Sequence, residues 1–246
     1  RTDSVHVAPK AIIEARSYIK ANFGDEYLPE QVPQYKTRAA SAQEAHEAIR
    51  PTSVMYKPAD IKQYLTNDQY QLYNLIWKRF VASQMTPAIL EITTVEVSGK
   101  SEKNNYLFRA TSSKLIFNGF KAVYEEAKNE DESEQEEEAD LPLEEMAEGQ
   151  KQELIKVDPS QHFTQPPPRF SEASLIQVLE ENKIGRPSTY SPILSTIQAR
   201  GYVTMEKKRL VPTEVGFIVN DLLVEYFPAI VDIGFTSEME EQLDEI

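Results

Sequence analysis

Residues 171–212 read SEASLIQVLEENKIGRPSTYSPILSTIQARGYVTMEKKRLVP, and this stretch decides the fold of the C-terminal third. Ser171 is placed to cap a helix over Glu172–Asn182, with Leu175, Val178 and Leu179 along its apolar side. Ile184-Gly185 reads as a turn. Pro187 and Ser188 open a second helix to Ala199, with Ile193, Leu194 and Ile197 inward and Gly201 ending it. Tyr202–Met205 and Arg209–Pro212 flank Glu206-Lys-Lys208 as a β-hairpin, and Thr213–Tyr226 makes a third helix. Helix, Gly turn, helix and basic-tipped hairpin is the outline of a winged helix-turn-helix.

Upstream, Gln165-Pro-Pro-Pro168 is a stiff linker. Before it the texture is β. Ile89–Val97 alternates, Tyr106–Ala110 and Leu115–Phe117 follow, and turn signals stand at Ser98-Gly99 and Asn118-Gly119. Glu153–Val157 is one more strand candidate. Three or four strands are few for an independent sheet, so the sheet is expected to be completed by sequence outside this chain. Further upstream the pattern is helical: residues 8–23, a short helix over 58–65, and a long one launched by the capping box Thr66-Asn-Asp-Gln69 and running to about Gln84. A short helix is expected around Gln43–Ile49. The chain therefore reads as a multidomain α+β protein in three parts: helical 1–86, β-rich 87–168 and helical 169–246.

Composition limits the function. The chain has 246 residues, 26 basic and 40 acidic side chains, three His and no Cys. Without Cys there is no disulfide scaffold, no Cys-bound zinc and no thiol nucleophile. No stretch approaches the roughly 18 apolar residues of a membrane span. No leader opens the chain, and a cytoplasmic setting fits. It begins at Arg1 rather than Met, which suggests a piece of a longer protein. The net charge of −14 opposes a nucleic-acid partner until its distribution is read. Residues 125–148 carry 13 acidic groups and one Lys, a net of −12, leaving −2 for the rest. Such a run self-repels and is expected to be a disordered loop tip that buries little.

Three motifs could carry chemistry. In Gly185-Arg-Pro-Ser-Thr189, a helix start would offer unpaired N–H groups, Ser188 and Thr189 hydroxyl donors, and Arg186 a bidentate fork for a phosphate. Arg200, Lys207, Lys208 and Arg209 extend a basic face. The same residues also suit a plain helix cap with solvated cations, and spacing alone does not separate the two. In Gln43-Glu-Ala-His46-Glu-Ala-Ile-Arg50-Pro51, a helix would put His46 and Arg50 on one face beside Gln43. An ordinary exposed His–Arg pair is the plain alternative. Two Glu and one His make a weak metal set, and no metal site is assigned to this chain. Arg1-Thr-Asp-Ser4 suits a phosphate clamp or a frayed end. His6 and His162 have no comparable company.

Taken together, RTDS, SAQEAHEAIRPT, QMTPA, FSEAS, IGRPSTYSPILSTIQARGYV and GFTSEMEEQLDEI resemble, in order and spacing, the bacterial type IA DNA topoisomerases. The resemblance covers nearly the whole chain except 125–148, which looks like a loop insertion. It implies a central region: two helical, winged-helix or CAP-like modules joined by a partial β arch. It implies relaxation of negatively supercoiled DNA through transient single-strand cleavage and a 5′-phosphotyrosyl link. Mg2+ would be bound by a toprim domain absent from this chain, and the nucleophilic Tyr would lie two positions before Arg1. The chain alone is then expected to bind single-stranded DNA at most, as a monomer. Arg1 resembles the Arg that holds the scissile phosphate, and His46 the active-site His. Arg186, Thr189 and Arg200 resemble single-strand-binding residues, with Ser188 and Arg50 beside them as DNA contacts. The rival reading is a non-catalytic winged-helix regulator of duplex DNA, which leaves RTDS and AHEAIRP without a role.

Overall fold

The computed structural model describes residues 2, 4–35, 46–125, 143, 146–161, 163, 164 and 166–244. Seven α-helices and two antiparallel two-stranded sheets are found among them. The chain divides into two compact units: Arg1–Val7, Tyr35–Ile49 and Gln165–Ile246 in the first, Ala8–Gln34 and Arg50–Thr164 in the second. None of the helices is long and apolar enough to cross a membrane.

The second unit is built on α1 (Pro9–Phe23) and α3 (Asn67–Ser83), with the single-turn α2 (Pro58–Ile61) between them. Pro9 opens α1, since its missing N–H is one the first turn would not use. Thr66 and Gln69 close a full capping box at the start of α3. Ala11, Ala15, Tyr18 and Ile19 of α1 and Trp77, Phe80 and Val81 of α3 are buried, as are Val54 and Met85. The Tyr18 and Trp77 rings meet edge to face at 5.6 Å, and the indole N–H donates to the Val54 carbonyl at 3.0 Å.

From this core a long ribbon runs out, β1 (Ile89–Lys100) paired with β2 (Asn105–Phe117). Two strands replace the three or four expected from the sequence. Ser98-Gly99 is not a turn: Gly99 pairs with Tyr106 inside the ladder. Ser101 makes the reversal instead, its N–H donating to the Asn104 carbonyl at 2.9 Å while its hydroxyl accepts the Asn104 N–H at 3.1 Å. Tyr106–Ala110 and Leu115–Phe117 are one strand, and 153–157 forms none. A bulge at Ile116 adjusts the register near the base. There Gly119 sits at φ +46°, and a Cβ would lie 2.3 Å from the Pro87 carbonyl oxygen.

Most of the acidic run lies outside the described residues. Leu143 within it is 4% exposed, so the expectation that the run buries little is corrected at that residue.

The first unit carries α4 (Glu172–Glu181), α5 (Tyr190–Ala199), the hairpin β3 (Val203–Glu206) with β4 (Arg209–Pro212), α6 (Glu214–Tyr226) and α7 (Ile233–Asp244). Ser171 caps α4 through the Ser174 N–H, and Thr213 caps α6 through the Gly216 N–H. The hairpin turns on Lys207 and Lys208, both at positive φ (46° and 62°), as a two-residue primed turn requires. Gly216 lets α6 lie against the hairpin, since a Cβ would fall 2.1 Å from the Tyr202 carbonyl oxygen. Helix α7 falls in the part expected to be helical, although no separate helix was delineated there.

Candidate nucleic-acid interface

The described parts of two sequence motifs meet at one backbone hydrogen bond in the first unit. The Ser4 N–H donates to the Thr2 hydroxyl at 3.0 Å, and the His6 N–H to the Ser4 hydroxyl at 3.1 Å. These short loops set the path of the segment, and the His6 carbonyl then accepts the Ala48 N–H at 2.7 Å. The segment that follows RTDS is thereby joined through its backbone to Ala48 of the second motif, with exposed His46 two residues from the joint. His6 has a backbone role that no side-chain pattern announces.

Residues 46–50 are not helical, which corrects the expectation of a shared His46–Arg50 helix face. Pro51 disfavours the helical region at Arg50, and the Ala48 N–H is spent on His6. Arg50, in the second unit, turns back to donate to the Pro51 carbonyl at 3.1 Å. Arg1 and Gln43 lie outside the described residues.

The third motif forms a closed loop between α4 and α5. Gly185 is buried at φ +77°, where an added Cβ would press on the Tyr190 ring at 2.9 Å. The Arg186 N–H donates to the Thr189 hydroxyl at 2.8 Å, and that hydroxyl donates back to the Arg186 carbonyl at 3.1 Å. The Thr189 and Tyr190 N–H groups go to the same carbonyl, at 2.8 and 3.2 Å. Helix α5 therefore starts at Tyr190, later than the expected Pro187 or Ser188, and these N–H groups are already satisfied.

Arg186 folds over this loop. Its Nη1 donates to the Gly185 carbonyl at 2.7 Å and to Glu240 Oε2 at 2.9 Å. The Glu240 carboxylate, from α7, also accepts the Gly185 N–H through Oε1 at 3.0 Å and Oε2 at 2.9 Å. Sequence reasoning passed over Glu240, because nothing local distinguishes it among the acids of that segment.

Ser188 and Thr189 are exposed beside Arg186. Arg200 caps the far end of α5, about 15 Å along a ten-residue helix. It is exposed and makes no side-chain hydrogen bond or ion pair among the described residues. Lys207 and Lys208 stand exposed at the hairpin tip, and Arg209 donates to the Arg169 carbonyl at 3.2 Å. Arg186, Ser188 and Thr189 are thus gathered in one loop, with Arg200 a helix length away. Among the described residues no group of three or more His, Asp or Glu could hold a metal ion.

A family model described as DNA topoisomerase matches residues 1–246. Among solved structures, full-length topoisomerase I from Thermotoga maritima is 36% identical, with a TM-score of 0.74 over 100% of this chain. This chain covers 37% of that protein. The chain belongs to the bacterial type IA DNA topoisomerase family.

Proposed function

We propose that this chain is the central region of an enzyme that relaxes negatively supercoiled DNA by cutting and resealing one strand. A tyrosine hydroxyl attacks a backbone phosphorus, the O3′ leaves with a proton, and the tyrosine stays bonded to the 5′-phosphate. After another strand has passed, the O3′ attacks the same phosphorus and the tyrosine is released. The nucleophile belongs two positions before Arg1, outside this chain. Arg1 would neutralise charge building on the scissile phosphate, as a guanidinium does in phosphoryl transfer. His46 would assist cleavage. Arg50, Arg186, Ser188, Thr189 and Arg200 would hold the single strand, with α4, α5 and the β3–β4 hairpin acting as a winged-helix module. Magnesium would be held by a toprim domain. The described residues offer no cluster for it. The same reading makes the protein a cytoplasmic monomer.

The observation that carries this reading is the Ala48–His6 hydrogen bond, which supports a shared site for RTDS and AHEAIR. In the intact protein, His46→Ala should slow cleavage of a single-stranded oligonucleotide more than it weakens binding. The chain by itself should leave a negatively supercoiled plasmid unrelaxed. An unchanged cleavage rate removes His46 from the site, and relaxation by the chain alone defeats the reading.

A further inference from the structure

We infer that Glu240 is a positioning residue for Arg186, holding its guanidinium ready for a phosphate of single-stranded DNA. This rests on the reading of Arg186 as a DNA contact. The side chain that would meet the DNA is tied to its own loop by an acid from a helix 54 residues further along the chain. The tie has two parts. Both Glu240 oxygens accept the Gly185 N–H, which fixes the backbone at a residue whose φ of +77° few side chains tolerate. One of those oxygens also accepts from Arg186 Nη1, which donates to the Gly185 carbonyl as well.

Backbone and guanidinium are therefore clamped by the same carboxylate. The pair is partly screened from water, with the side chains 29% and 26% exposed, so it is firmer than an ordinary surface ion pair. A guanidinium is a rigid planar fork, and anchoring one terminal nitrogen sets the plane of the whole group. A long flexible side chain held this way loses less freedom when it meets a phosphate. A carboxylate close to that phosphate would also repel it. The two consequences have opposite signs, which makes the inference testable. Were Glu240 simply a competitor for Arg186, removing it would strengthen DNA binding.

The experiment is a double-mutant cycle in the intact protein, read by the affinity for a labelled single-stranded oligonucleotide and by thermal melting. Glu240→Ala should weaken binding roughly three- to tenfold, by loss of a specific coupling. In an Arg186→Ala background the same change should cost less than about twofold. Glu240→Gln keeps an oxygen for the Gly185 N–H but loses the charge, and should fall between wild type and Glu240→Ala. If Glu240→Ala does not fold, as melting will reveal, Glu240→Gln in both backgrounds decides the matter. Unchanged or tighter binding on removing Glu240 overturns the inference, and so does an equal loss in both backgrounds. If Arg186→Ala alone leaves affinity unchanged, the DNA contact at Arg186 falls and the inference falls with it.

Discussion

The two units of this chain are held together by different means. The second buries aromatic and aliphatic side chains from α1 and α3 around Trp77. In the first, only Leu194 and Leu210 are buried apolar side chains among the described residues, while Phe217, Ile218, Leu222 and Phe235 on α6 and α7 stay exposed. The first unit relies instead on polar ties, three of them local, the caps at Ser171 and Thr213 and the Thr189 brace, and one long-range, the Glu240 clamp. A core fixes many residues through one shared interior. Caps and braces fix the loops one at a time, and those loops carry most of the proposed DNA contacts.

The largest expected effect tests the core side of this contrast. Trp77→Ala removes the Tyr18 ring contact and the bond to Val54, and should cost about 3–5 kcal/mol in chemical denaturation. Leu194→Ala should fall at the low end of the range for Leu, about 2 kcal/mol, because little around it is buried. Equal losses would erase the difference between the units.

A smaller effect probes the polar side. Thr213 accepts the Gly216 N–H and donates to the Gly201 carbonyl at 2.6 Å, so it ties α6 to the end of α5. Thr213→Ala should cost about 1–2 kcal/mol, the upper range for a cap, measured by the melting of the first unit. A neutral result would mean that caps do not hold this unit.

The smallest effect is a gain. Lys208 sits at φ +62°, which suits Gly far better than a side chain. Lys208→Gly should raise stability by about 1 kcal/mol while removing one cation from the hairpin tip. No gain in melting temperature would mean that the Lys side chain contributes contacts that offset the strain.

The parts of the structure legible in the sequence are those set by neighbouring residues. The capping box at Thr66 and Gln69, the Ser171 cap and the Lys207-Lys208 reversal each depend on a few consecutive side chains. What was misread depends on distant partners. Ser98-Gly99 looks like a turn, but pairing with Tyr106 and Leu107 keeps it extended. The segment at 153–157 has strand-like residues and no neighbour to pair with among the described residues. The start of α5 moved because Thr189 closes its own turn first. At the candidate site the Arg and Thr were identifiable from the motif, whereas the acid that anchors Arg186 comes from a helix not delineated in the sequence reading.

The β1–β2 ribbon has a consequence for how this part of the protein can vary in size. It extends for roughly 40 Å at about 3.4 Å per residue, and its tip is closed by a reversal centred on Ser101 and Asn104. Because side chains alternate faces, removing two residues from each strand near the tip leaves every remaining pair opposite its old partner, including Thr94 with Thr111. Removing one residue from a single strand would force a slip that reverses faces down to the bulge at Ile116. Ribbon length is thus adjustable in matched steps of two, independently of the α1–α3 core from which it springs.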